Sequence, residues 1–150
     1  IPVFGYKSHI SIDHRHGIIR RGKVTDAATH DGARLRKGLI DPNNTASDVW
    51  ADSAYRSAGN ERYLADAGKV SRIHRRKPRG KPMPRNTARA NARKSAVRAP
   101  VEHPFAHQKG PMGLVIRTIG LARAAAHITL ANMSDNMKRW CWLDTRSLLA

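Results

Sequence analysis

At 150 residues the chain can build one hydrophobic core and is short for two, and its formal charge of +17, from 28 Lys and Arg against 11 Asp and Glu, exceeds what handling small metabolites requires. The natural counterion for that much positive charge is a phosphate backbone, so nucleic acid is the first partner to expect. The single cysteine, Cys141, excludes an internal disulfide and a cysteine-based zinc finger, in keeping with a reducing cytoplasm, and the longest stretch free of charge, Ala124 to Ser134, is too short to span a bilayer.

In chain order, Phe4 to Ile12 alternates Tyr6, Ser8, Ile10 and Ile12 with Lys7, His9 and Ser11, which predicts a strand. The polar run Asp13 to Gly17 reads as a turn, and Ile18 to Val24 as the returning strand of a hairpin. Thr29-His30-Asp31 offers a cap to a short amphipathic helix carrying Ala33, Leu35, Leu39 and Ile40, closed by Asp41-Pro42-Asn43-Asn44. Val49-Trp50-Ala51 predicts a buried strand that stops at Asp52, with a core role for Trp50. A helix over 59–66 and a brief strand over 70–73 follow. Between Asp66 and Glu102 there is no acid, yet twelve of the 28 Lys and Arg lie there. Residues 76–86, rich in proline, are expected to be a mobile basic loop, and alanine-rich helical composition begins at Thr87. Arg85, Arg89 and Arg93 recur every four residues, so they would form one stripe on a helix. Ala122, Ala126, Leu130, Met133, Met137 and Trp140 predict an amphipathic helix over 121–141 with that face on the core.

Asp52 and Glu102 are two carboxylates on separate elements either side of the basic segment, the arrangement that two-metal phosphoryl transfer needs. Ser95, Arg98, Glu102, Phe105 and Lys109 advance in steps of three and four, which places a base before and after the acid on one helical face. Pro100 and Pro104 imply that Glu102 sits at a kink or a new helix start. The bland alternatives are a cap for Asp52 and an exposed ion pair of Arg98 with Glu102, worth about 0.3–0.5 kcal/mol. Zinc is a poor fit, because neither His103 with His107 nor His14 with His16 has a third soft ligand nearby.

The blocks Ala51-Asp52-Ser53-Ala54-Tyr55 with Asn60-Glu61, Ser71-Arg72-Ile73-His74-Arg75, Arg98-Ala99-Pro100-Val101-Glu102-His103-Pro104-Phe105 and Arg117-Thr118-Ile119-Gly120 resemble the DDE transposases of bacterial insertion sequences. The resemblance spans nearly the whole chain. It implies an α/β, ribonuclease-H-like mixed sheet flanked by helices, as in the retroviral-integrase superfamily. Asp52 would be the second catalytic acid and Glu102 the third, together holding Mg²⁺ or Mn²⁺. Arg98 and Lys109 would be the DNA-contacting bases of the glutamate signature, whose leading tyrosine is replaced by Ser95.

By the same resemblance the first acid belongs to a strand ahead of the Phe4 to Val24 hairpin. The chain opens on Ile-Pro-Val rather than Met and is expected to be a partial catalytic domain over 1–150, inactive alone. Asp13 falls in the hairpin turn, and Asp31 is expected to be a structural cap. Arg85, Arg89, Arg93 and Lys94 are expected to bind DNA, as transposon ends and target, in a homodimer in the bacterial cytoplasm near the nucleoid. Two rivals remain: a nuclease or resolvase of the same fold, and a non-catalytic basic nucleic-acid-binding protein, which gives the two acid blocks no purpose.

Overall fold

The structure is a computed structural model and describes residues 5–148. Phe4, the expected first residue of the opening strand, lies outside the described residues. The fold is α/β. The chain forms two compact units, Ile1–Thr29 with Pro100–Ala150, and His30–Ala99.

In the first unit, β1 (Tyr6–Ile12) and β2 (Ile19–Asp26) pair antiparallel, Tyr6 opposite Asp26, with an irregularity at Ser11/Ile12. The hairpin follows from the sequence alternation and from its turn. There Asp13 Oδ1 accepts the Arg15 N–H at 2.8 Å, Asp13 Oδ2 meets His16 Nδ1 at 3.0 Å, and Gly17 takes φ +70°. That left-handed conformation is one that glycine adopts without a Cβ penalty. His9 is buried with its Nε2 2.9 Å from Thr25 Oγ1, so even the covered face of the hairpin carries a satisfied polar pair. Further along, α4 (Glu102–Lys109) and α5 (Leu121–Leu148) complete the unit, with α5 lying against β2.

The orientation of α5 corrects the sequence expectation. Ala122, Ala126, Leu130, Met133, Met137 and Trp140 are all exposed, Met137 at 68% and Trp140 at 67%. The buried positions are Ala124, Ile128, Ala131 and Asn132, joined by the half-buried Asp135, Asn136 and Arg139. The reason is hydrogen bonding. Asn136 pairs twice with the Ile19 backbone, accepting its N–H at 2.8 Å and donating to its carbonyl at 2.9 Å, and Arg139 Nε donates to the His16 carbonyl at 2.6 Å. The face that can satisfy the hairpin's outward backbone groups goes inward, although it is less apolar than the other.

In the second unit a three-residue turn of helix, α1 (Gly32–Arg34), runs into a π-helical turn Leu35–Leu39 that buries Leu35 and Leu39. β3 (Asp48–Val49) pairs parallel with β4 (Val70–Ser71), and the ladder continues as Arg72 N–H to Val49 O and His74 N–H to Ala51 O. The crossover between these strands holds a 3₁₀ turn (Ser53–Tyr55) and α2 (Ala58–Asp66), which Ser57 caps by accepting the Asn60 N–H at 3.2 Å. Leu35, Leu64 and Ile73 form the core, with Val49, Ala51, Tyr55 and Tyr63 packed on it. Trp50, expected in that core, is instead half-buried beside the Arg72 guanidinium, 5.9 Å from its ring centre. Strand alternation accounts for this, because Val49 and Ala51 face the core and the residue between them faces away. After β4 there is no regular structure until α3 (Arg85–Arg98), and a 3₁₀ turn (Ala99–Val101) precedes α4.

Candidate active site and nucleic-acid interface

Asp52 directly follows the last ladder bond of the parallel pair, the end of a strand where ligand sites of open α/β sheets form. Its Oδ1 accepts the Ala54 N–H at 2.7 Å and caps the 3₁₀ turn, while its Oδ2 makes no hydrogen bond among the described residues. The cap and the functional reading are therefore compatible, since the cap takes one oxygen of the carboxylate only. Arg76 braces the same turn, its Nε donating to Ser53 O at 2.9 Å.

Tyr55 sits in a field that sequence reasoning missed. Burial, and then the charges of Asp31 and Asp52, push its phenol up to about 12, against the opposing pull of Arg98. Asp31 thus stands close enough to be felt beside the Asp52 turn, and it makes no side-chain cap bond to α1, contrary to its expected role. Two devices bring these segments together. A Cβ on Gly32 would lie 2.9 Å from the Ala54 carbonyl oxygen, so only glycine allows that approach. The fully buried Asn60 donates from one nitrogen to Gly32 O at 2.8 Å and to Tyr55 O at 2.6 Å. The Thr29-His30-Asp31 block and the isolated Asn60 were the available signals.

His74, whose N–H makes the last ladder bond, has its imidazole lowered by burial and by Arg98 and Lys94, with Asp52 opposing. Glu102 is exposed and opens α4, as Pro100 and Pro104 imply, rather than continuing the helix of Arg98. Arg98 is half-buried at the last position of α3, and Lys109 is exposed at the end of α4. Asp13 is spent on its turn. Burial works against the charged form, but hydrogen bonds from the His16 side chain and the Arg15 and His16 backbone outweigh it and hold the carboxyl below its usual range.

α3 sorts the basic residues into two kinds. Arg85, Arg89 and Arg93 are exposed on one stripe and make no hydrogen bond or ion pair among the described residues. Lys94 faces the other way. Its Nζ donates to Ile73 O at 3.0 Å, and its ammonium is lowered by burial and then by Arg56, Arg75 and Arg72. Asn91 fastens the same inward face, giving and accepting one bond each with the Arg75 backbone at 2.9 and 3.0 Å. Lys69 is likewise engaged, donating to Asn44 O at 2.7 Å and Ala46 O at 2.8 Å. Among the described residues no group of three or more His, Cys, Asp and Glu could hold a metal ion, and no helix is long and apolar enough to cross a membrane.

A strand-end aspartate in a parallel βαβ unit, a glutamate at a helix start and an exposed arginine stripe are the features on which a functional reading can be built. The family comparison is more specific. The model of the transposase DDE domain matches residues 3–137, and the chain belongs to that family. No curated protein and no solved structure matches the chain.

Proposed function

We propose that this chain forms part of an insertion-sequence transposase of bacterial origin, which cuts DNA at the element's ends and joins it to target DNA. The observation that carries the reading is Asp52: a strand-end carboxylate fixed through one oxygen and open at the other, inside the block Ala51 to Tyr55, in a chain of the transposase DDE family. Asp52 and Glu102 supply hard oxygen ligands of the kind Mg²⁺ and Mn²⁺ prefer. When bound, such ions polarise the scissile phosphate and activate the attacking oxygen. Asp52 is held in position by the Ala54 amide and by Arg76 on the turn behind it. Arg98 and Lys109 steady the phosphate next to Glu102, and Arg85, Arg89 and Arg93 track the backbone further out. Lys94, turned inward, serves DNA binding by holding α3 in place.

The reading also includes a homodimer assembled on paired ends. Because Asp13 is consumed by its turn, this stretch of chain alone is expected not to cleave without a third carboxylate. A strand-transfer assay on the parent protein, with end and target DNA and Mg²⁺ or Mn²⁺, tests the reading. Joined product that disappears in Asp52→Asn and in Glu102→Gln supports it. Cleavage without joining would favour a nuclease or resolvase, and binding without cleavage a non-catalytic protein.

A further inference from the structure

We infer that Asp135 is a positioning residue for Glu102, acting through the helix that presents it. The inference rests on the reading of Glu102 as a metal-holding carboxylate. α4 has eight residues, a proline at its third position and no side-chain cap at its start, and its one buried residue is Gln108. A helix that short gains little from its own backbone and is normally held by an apolar face. Here the hold on α5 is polar. Gln108 Nε2 donates to Asn132 Oδ1 at 2.9 Å and to Asp135 Oδ2 at 2.6 Å, and His107 Nδ1 lies 2.6 Å from Asp135 Oδ1. Both oxygens of one carboxylate, 10% exposed, are therefore taken by adjacent residues of α4.

The protons can be assigned. Lys138 Nζ, which can only donate, lies 2.9 Å from His107 Nε2. Nε2 is then the acceptor and Nδ1 carries the hydrogen given to Asp135. Along the line Lys138, His107, Asp135, Gln108, Asn132 each of the four contacts then pairs a donor with an acceptor, which favours this seating of the helix over its neighbours.

Two bonds from neighbouring residues fix the rotation of α4 as well as its position, which one bond would not do. Glu102 is five residues before His107 and six before Gln108. At about 100° per residue it lies on the far side of the helix, roughly 8 Å along the axis. A loosened lock would therefore swing Glu102 while leaving the hairpin and its packing on α5 unchanged. Partners bonded directly to a metal ligand typically change affinity by about 10–100-fold, and a support acting through the helix is expected at the lower end of that range.

The test is paramagnetic broadening by Mn²⁺ of the backbone amide signals of 102–105 in the full chain, as wild type, Glu102→Gln, Asp135→Ala and Asp135→Asn. In wild type, an imidazole N–H of His107 shifted far downfield by its short bond to Asp135 should also be visible. The inference expects Asp135→Ala to lose that signal and to need about tenfold more Mn²⁺ for the same broadening, with β1 and β2 amide shifts unchanged. Asp135→Asn, which keeps the shape, should fall between. Broadening lost in Glu102→Gln but unchanged in both Asp135 variants overturns the inference alone. An equal response of wild type and Glu102→Gln to Mn²⁺ overturns the reading of Glu102 and the inference with it. Hairpin shifts in Asp135→Asn as large as those in α4 would show a general packing role and overturn it as well.

Discussion

Asn60 shows how much one buried polar side chain settles in this protein. Its amide nitrogen joins the Gly32 and Tyr55 carbonyls, so removing it takes a hydrogen bond from each at a fully buried position. Asn60→Ala should therefore cost about 2 kcal/mol or more in denaturant unfolding, well above an exposed substitution. Tyr55, held by that bond, reports on the charges around it. With its phenol at about 12, spectrophotometric titration should find one of the three tyrosines ionising near that value, and Tyr55→Phe should remove it. The sign for stability follows: below pH 10 the protonated phenol is present in both folded and unfolded chains, and above it the unfolded chain ionises first. The folded state then loses stability as pH rises from 10 through about 12. Asp52 could be read from sequence because a carboxylate stopping an apolar run is a local pattern. Asp31 could not, because its proximity depends on Gly32 meeting Ala54, an approach of distant positions that no local pattern encodes.

At the scale of elements, α5 and α3 repeat one lesson. Each docks through an asparagine that pairs twice with backbone, Asn136 with Ile19 and Asn91 with Arg75. The helical periods were legible, and so were the hairpin and the strand, helix, strand order over 49–73, since all rest on local spacing; the parallel pairing of those two strands was not. The inward face of α5 was not, because counting apolar side chains ignores the hairpin's backbone groups that need partners. A pair of substitutions separates the two descriptions of α5. Ile128→Ala should lower stability by about 2–4 kcal/mol, whereas Met133→Ala should stay within about 0.5 kcal/mol in the same unfolding measurement. For α3, replacing Arg85, Arg89 and Arg93 together should leave the melting transition in place. The slope of log affinity against log salt for duplex DNA should fall by about 0.9 for each phosphate that the variant no longer neutralises. An unchanged slope would mean that the stripe does not meet DNA. Of the bases in the acid-free segment, Lys69, Arg76 and Lys94 are tied to carbonyls, so fewer of these side chains are left to contact a ligand than the composition suggests.

Taken as a whole, the chain belongs to the transposase DDE family, and the two acids proposed to hold metal lie in different compact units, Asp52 in one and Glu102 in the other. The blocks around each acid were recognisable in the sequence because short runs of residues carry them. The proposed sharing of one site by the two was not, since no short run of residues carries the relation between distant parts of the chain. Under the proposed function the two carboxylates share divalent cations. The most direct test is an anomalous difference map from crystals of the protein grown with end DNA and Mn²⁺. A peak is expected within about 2.0–2.6 Å of carboxylate oxygens of both Asp52 and Glu102, beside a phosphate. A peak on one acid alone, or the two carboxylates on opposite faces of the protein, would contradict it.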